Sequence, residues 1–104
     1  MVERKIRLSW VDTNSRLAET EIERSDTGDL STPIWGVIAV ILVDVTEHVD
    51  IIVASENGVN YFYRIRHKIS SVYGSYSDPV GVFVQNIVVN APTGFSATLL
   101  PLGS

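Results

Sequence analysis

The chain has 104 residues, room for one domain and not two. Hydrophobic residues make up 45%, charged residues 19% and aromatic residues 9%, a balance that buries one core and excludes a disordered tail as the whole. A net charge of −4 argues against a general nucleic-acid binder, and the lack of cysteine excludes disulfides and thiolate metal sites.

In chain order, Ile6, Leu8 and Trp10 alternate with Lys5, Arg7 and Ser9, which predicts a half-buried strand. Asp12 to Arg16 is polar and reads as a loop. Residues 20 to 24, Thr-Glu-Ile-Glu-Arg, alternate again and give a second strand, and Ser25 to Asp29 forms a turn cluster. Pro33 opens the most apolar run, Ile34 to Val43, whose Val and Ile content favours strand over helix. That run is half the roughly 20 residues a membrane-spanning helix needs, so no membrane insertion is expected, and no signal peptide opens the chain. Val49 to Ala54 is a further strand, followed by a turn at Glu56-Asn57-Gly58. Next, Tyr61, Tyr63, Ile65, His67 and Ile69 share one face, with Asn60, Phe62, Arg64, Arg66 and Lys68 on the other. Ser70 to Ser77 reads as a loop, and Val80, Val82 and Val84 mark the last strand. Six short strands without a helix predict an antiparallel sandwich. Pro92 then punctuates the chain like a domain boundary, and Phe95, Ala97 and Leu99 alternate with polar residues beyond it.

Catalytic chemistry has little to build on. No Gly-x-Ser-x-Gly elbow is present, and the two histidines, His48 and His67, match no metal-ligand spacing. Asp26-Thr27-Gly28-Asp29 reads as a plain turn, lacking the dense carboxylates of a calcium loop. No enzyme activity, metal or cofactor is expected. Glu21 and Glu23 share the outward face of one strand, and Arg64 and Arg66 that of another; if those strands are neighbours, the charges form a solvated ladder that sets register or, on a sharper reading, a polar patch for a partner. Ile34 to Val43 is apolar on both faces, whereas a sandwich strand has one wet face. Either a bulge buries both sets, or an apolar stripe lies exposed for a partner. Trp35, Val37 and Ile41 are therefore candidate interaction residues. Tyr73 and Tyr76 are candidates for stacking on a sugar, and Phe95 and Leu99 for contact through the tail.

Three blocks resemble a fibronectin type III domain of bacterial or phage type: residues 6 to 10 (Ile-Arg-Leu-Ser-Trp), residues 19 to 25 (Glu-Thr-Glu-Ile-Glu-Arg-Ser), and Tyr61-Phe62-Tyr63-Arg64-Ile65-Arg66 with Gly74 and Tyr76-Ser77-Asp78-Pro79-Val80. The likeness covers roughly residues 5 to 84. It implies an all-β, immunoglobulin-like antiparallel sandwich whose first strand is missing at the N-terminus, with Tyr61 at the family's tyrosine corner. Ile6, Leu8, Trp10, Ile22, Tyr61, Tyr63, Ile65 and Val82 would form its core. Residues 1 to 89 would be that domain, and 90 to 104 a linker and the first strand of a following one. The implied function is a non-enzymatic structural or interaction module of a larger extracellular, cell-surface or virion protein, such as a phage or prophage tail component, spacing or docking neighbouring domains or subunits. The alternative is a linker or weak glycan-binding module of a secreted polysaccharide-degrading enzyme. The open second-strand edge also invites a homo-oligomer by strand donation from the tail.

Overall fold

The computed structural model describes residues 2–86 and 91–103. It is an all-β, immunoglobulin-like arrangement of seven antiparallel strands. They are β1 (Val2–Ser9), β2 (Glu19–Ser25), β3 (Gly36–Ile41), β4 (Glu47–Ala54), β5 (Val59–Ile69), β6 (Val72–Tyr73) and β7 (Val80–Val84). β1 and β4 form one sheet. The other runs β3-β2-β5, with β6 and β7 sharing the far edge of β5. The expected boundary between residues 89 and 90 lies outside the described residues.

Alternation fixes which side chains meet between the sheets. Ile6 and Leu8 of β1, Ile22 of β2, Ile52 and Ala54 of β4, Tyr63 of β5 and Val84 of β7 make the buried cluster. Trp10, Ile38, Ala39, Ile41, Tyr61 and Ile65 pack around it. Ile22 is wholly buried and Tyr63 nearly so, because each sits on a strand with neighbours on both sides. Val82 departs from its expected place in the core. It faces the interior but stays 36% exposed, since no strand covers that side of β7 among the described residues.

The interior also holds a polar clasp that joins the sheets. Asp50 of β4 accepts hydrogen bonds from Arg24 Nη1 at 2.8 and 3.0 Å and from the Tyr63 hydroxyl at 2.6 Å. Burial would lower the Arg24 guanidinium, but the Asp50 carboxylate outweighs it and holds Arg24 above its ordinary value. Burial first, then the bond to Asp50 and its charge, push the Tyr63 hydroxyl well above the usual phenol range. Tyr61, at the expected corner position, packs against the core. The hydroxyl that links the sheets belongs to Tyr63, two residues along.

Turn chemistry explains the connections. Asp12 accepts from the backbone N–H groups of Asn14 and Arg16, which holds the loop after β1. Ser31 donates its N–H and hydroxyl to the Asp29 carboxylate, holding that carboxyl below its ordinary value, and the Thr32 N–H donates to the Asp29 carbonyl, so the chain bends at Gly28 and its hydrogen-bonded turn runs from Asp29 to Thr32. The β4–β5 turn requires Gly58, whose φ is 77° and whose open side is covered by the Phe83 ring. A Cβ there would overlap that ring. Gly58→Ala is expected to cost about 1–2 kcal/mol, from left-handed strain plus displacement of the exposed Phe83. Urea unfolding checks this, and an unchanged midpoint would rule out the close approach.

Candidate interaction surface

The outward face of β5 carries Phe62, Arg64, Arg66 and Lys68, because Tyr61, Tyr63 and Ile65 are turned inward. β2 lies beside it in a register that sets Glu23 opposite Arg64 and Glu21 opposite Arg66. The Nε of Arg64 donates to Glu23 Oε1 at 2.8 Å, and that of Arg66 to Glu21 Oε1 at 2.9 Å.

Aromatic rings complete this face. The Arg64 guanidinium lies 4.5 Å from the Trp35 ring centre and 3.7 Å from that of Tyr76. The Arg66 guanidinium lies 3.9 Å from Tyr73 and 4.6 Å from Tyr76. Lys68 Nζ follows at 5.7 Å from Tyr73. Rings and cations therefore alternate in the order Trp35, Arg64, Tyr76, Arg66, Tyr73, Lys68. Such contacts are worth about 0.5–1 kcal/mol each when exposed and about 2 when desolvated.

The stack corrects the expectation of a solvated ladder. Glu21 and Glu23 are 6% and 7% exposed, since the guanidiniums and rings lie over them. Burial, and the Glu23 carboxylate beside it, raise the Tyr76 hydroxyl above its ordinary value. The same geometry bears on sugar stacking. Two guanidiniums already lie against the Tyr76 ring, so a sugar would share that ring with them.

β3 shows how both readings of the apolar run apply at once. Opposite Ile22 stands Ala39, but opposite Glu23 stands Val37, so Ile38 is an extra residue in a β-bulge. The bulge changes the phase of the strand. Ile38, Ala39 and Ile41 pack against the core, while Val37 and Val40 lie exposed on the outer face with Trp35. Of the candidate residues, Trp35, Tyr73 and Tyr76 thus meet in one stack and Val37 lies on the strand beside it, whereas Ile41 is half-buried in the core. Phe95 and Leu99 stand apart in the tail, 94% and 97% exposed.

The histidines have structural places. Nδ1 of His67 bonds to the Asn14 side-chain amide and lies 3.4 Å from the Thr13 hydroxyl, which pins the 12–16 loop to β5. His48 lies on β4 opposite Leu8. Among the described residues no three His, Asp or Glu side chains converge as metal ligands would.

Sequence reasoning missed two features. The Arg24–Asp50–Tyr63 clasp spans three strands with no local spacing to announce it. A second apolar stripe was also hidden in plain alternation. Val49, Ile51 and Val53 face outward on β4, 44%, 53% and 52% exposed, beside Arg7, Lys5 and Glu3 of β1.

Compared with known protein families and with curated proteins, the chain matches no family model and no curated sequence.

Proposed function

We propose that the chain is a non-enzymatic structural module of fibronectin type III kind, set in a larger extracellular or virion assembly such as a phage or prophage tail. It spaces and docks neighbouring protein domains or subunits. The family part of this reading is supported by the three sequence blocks and by a strand order compatible with them.

The observation that carries the docking role is the outer face of the β1–β4 sheet. Three branched aliphatic side chains at alternate positions present apolar surface without a hydrogen-bond donor, and a row of charged residues flanks them. An apolar centre with a polar margin suits another protein surface rather than a glycan or nucleic acid. The opposite face, where the guanidiniums and rings are committed to each other, supplies stiffness to a spacer.

Ile51→Asp tests the reading. The side chain is half exposed, so the variant chain is expected to unfold within about 0.5 kcal/mol of the parent. Its incorporation into the parent assembly is expected to fall sharply. A loss of more than about 2 kcal/mol would place Ile51 in the fold itself, and undiminished incorporation would remove the docking role.

A further inference from the structure

The sandwich is open on one side. Among the described residues β1 pairs with β4 alone, so the backbone groups along its other edge have no strand beside them. Across the gap lies β7, whose Val80, Val82 and Val84 alternate toward the interior. Val84 is 4% exposed, but Val82 is 36% and Val80 56% exposed. An open groove of about 220 Å³ runs between the two strands; Ser9, Arg64, Ser77 and Asp78 contribute polar lining, and its apolar lining is Leu8, Trp10, Tyr63, Ile65 and Val80. Four of these five belong to the core or pack against it. The half-buried Trp10 and Ile65, with Val80 and Val82, thus meet solvent beside an unpaired strand edge.

The same chain carries an uncovered apolar segment. Phe95, Ala97 and Leu99 alternate with Ser96 and Thr98, and no charged residue occurs from 91 to 104. Pro92 and Pro101 bracket residues 93 to 100, a stretch of the same length as the eight-residue β1. Proline lacks the N–H that a strand inside a sheet needs, so such a segment fits an edge.

We propose that residues 93 to 100 of one copy of this chain add a strand to the free β1 edge of a second copy. Backbone hydrogen bonds to β1 supply the pairing, and Phe95, Ala97 and Leu99 cover the groove. The chain's own tail is poorly placed for this. Arg4 Nη1 donates to the Gln85 carbonyl at 3.2 Å, so the chain leaves β7 near the start of β1. Its own tail would then run parallel to β1, whereas every strand pair in the molecule is antiparallel. A tail from a second copy can enter at the Trp10 end and run antiparallel, which brings Phe95 to the groove first. The inference rests on this edge and groove, and stands apart from the family resemblance and from the β4 stripe.

The test uses the full chain and its Phe95→Asp/Leu99→Asp variant. Both side chains are almost fully exposed in the single chain, so the substitutions are expected to leave its own fold intact, with an unchanged far-ultraviolet circular dichroism spectrum. Light scattering across a concentration series is expected to give the parent at least twice the 11.5 kDa chain mass, and the variant that mass alone. Hydrogen exchange is expected to show β1 amides facing away from β4 protected in the parent and at least tenfold less so in the variant. A monomeric parent whose β1 edge is nonetheless protected by the tail would mean the chain closes on itself, and overturns the proposal. So would a monomer with an unprotected edge, or an oligomer that survives both substitutions.

Discussion

Asp50→Ala is expected to lower the free energy of unfolding by about 3 kcal/mol. The carboxylate is the shared acceptor for a guanidinium on β2 and a phenol on β5, and it reaches both from the opposite sheet. Without it the Tyr63 hydroxyl has lost its acceptor in a residue only 1% exposed, and Arg24 keeps a charge in a largely covered place. Removing one partner of a buried pair costs about 3–5 kcal/mol. The Arg24 side chain is 27% exposed, so water restores part of its solvation and the lower end applies. Urea denaturation measures it, and a loss under about 1 kcal/mol would mean the clasp does not join the sheets. The same group sets an alkaline limit. Tyr63 ionises less readily folded than unfolded, so its contribution is complete below the ordinary phenol value of about 10 and is lost as pH rises toward the raised folded value. The stability difference between the parent and Tyr63→Phe is therefore expected to shrink above about pH 10 and to be level below it.

Arg64→Ala is expected to cost about 2–3 kcal/mol. It removes the centre of the outer stack, and with it the partner of Glu23, whose side chain is 10% exposed. Two ring contacts go at the same time. Arg64→Lys keeps the charge but not the flat guanidinium that lies on Trp35 and Tyr76 while donating to Glu23, so about half of the loss should remain. Near-ultraviolet circular dichroism offers a second measure, because the Trp35 signal is expected to weaken in both variants. Wild-type stability in Arg64→Ala would show the stack to be incidental.

Much of the architecture was legible in the sequence, for local reasons. Period-two alternation located β2, β5 and β7 and identified their inward faces, and the glutamates and arginines paired in the register their spacing allowed. β1 begins earlier than the alternation suggested, at Val2. The two-residue β6 leaves no mark in the sequence, since its turn at Ser70 and Ser71 adopts φ of 56° at Ser70 without the glycine or asparagine that signals such a hairpin. The candidate surface was legible only in part. Trp35, Tyr73 and Tyr76 were singled out individually, but their common partners, Arg64 and Arg66, lie on a strand between them in space and apart from them in sequence. Asp50 looked like any carboxylate in an alternating strand, and only the opposing sheet gives it a role.

The extra residue at Ile38 has a consequence for how the chain finds its pairing. An apolar run without alternation matches its neighbour nearly as well in either of two phases, and hydrophobicity alone does not choose between them. Without the bulge, strict alternation through Ile41 and Ala39 would turn Val37 and Trp35 toward the interior. The bulge sends the indole outward, where it meets Arg64. Trp35 thus acts as a frame marker for β3: only the correct phase places it on a cation, and that contact penalises a strand that has slipped by one.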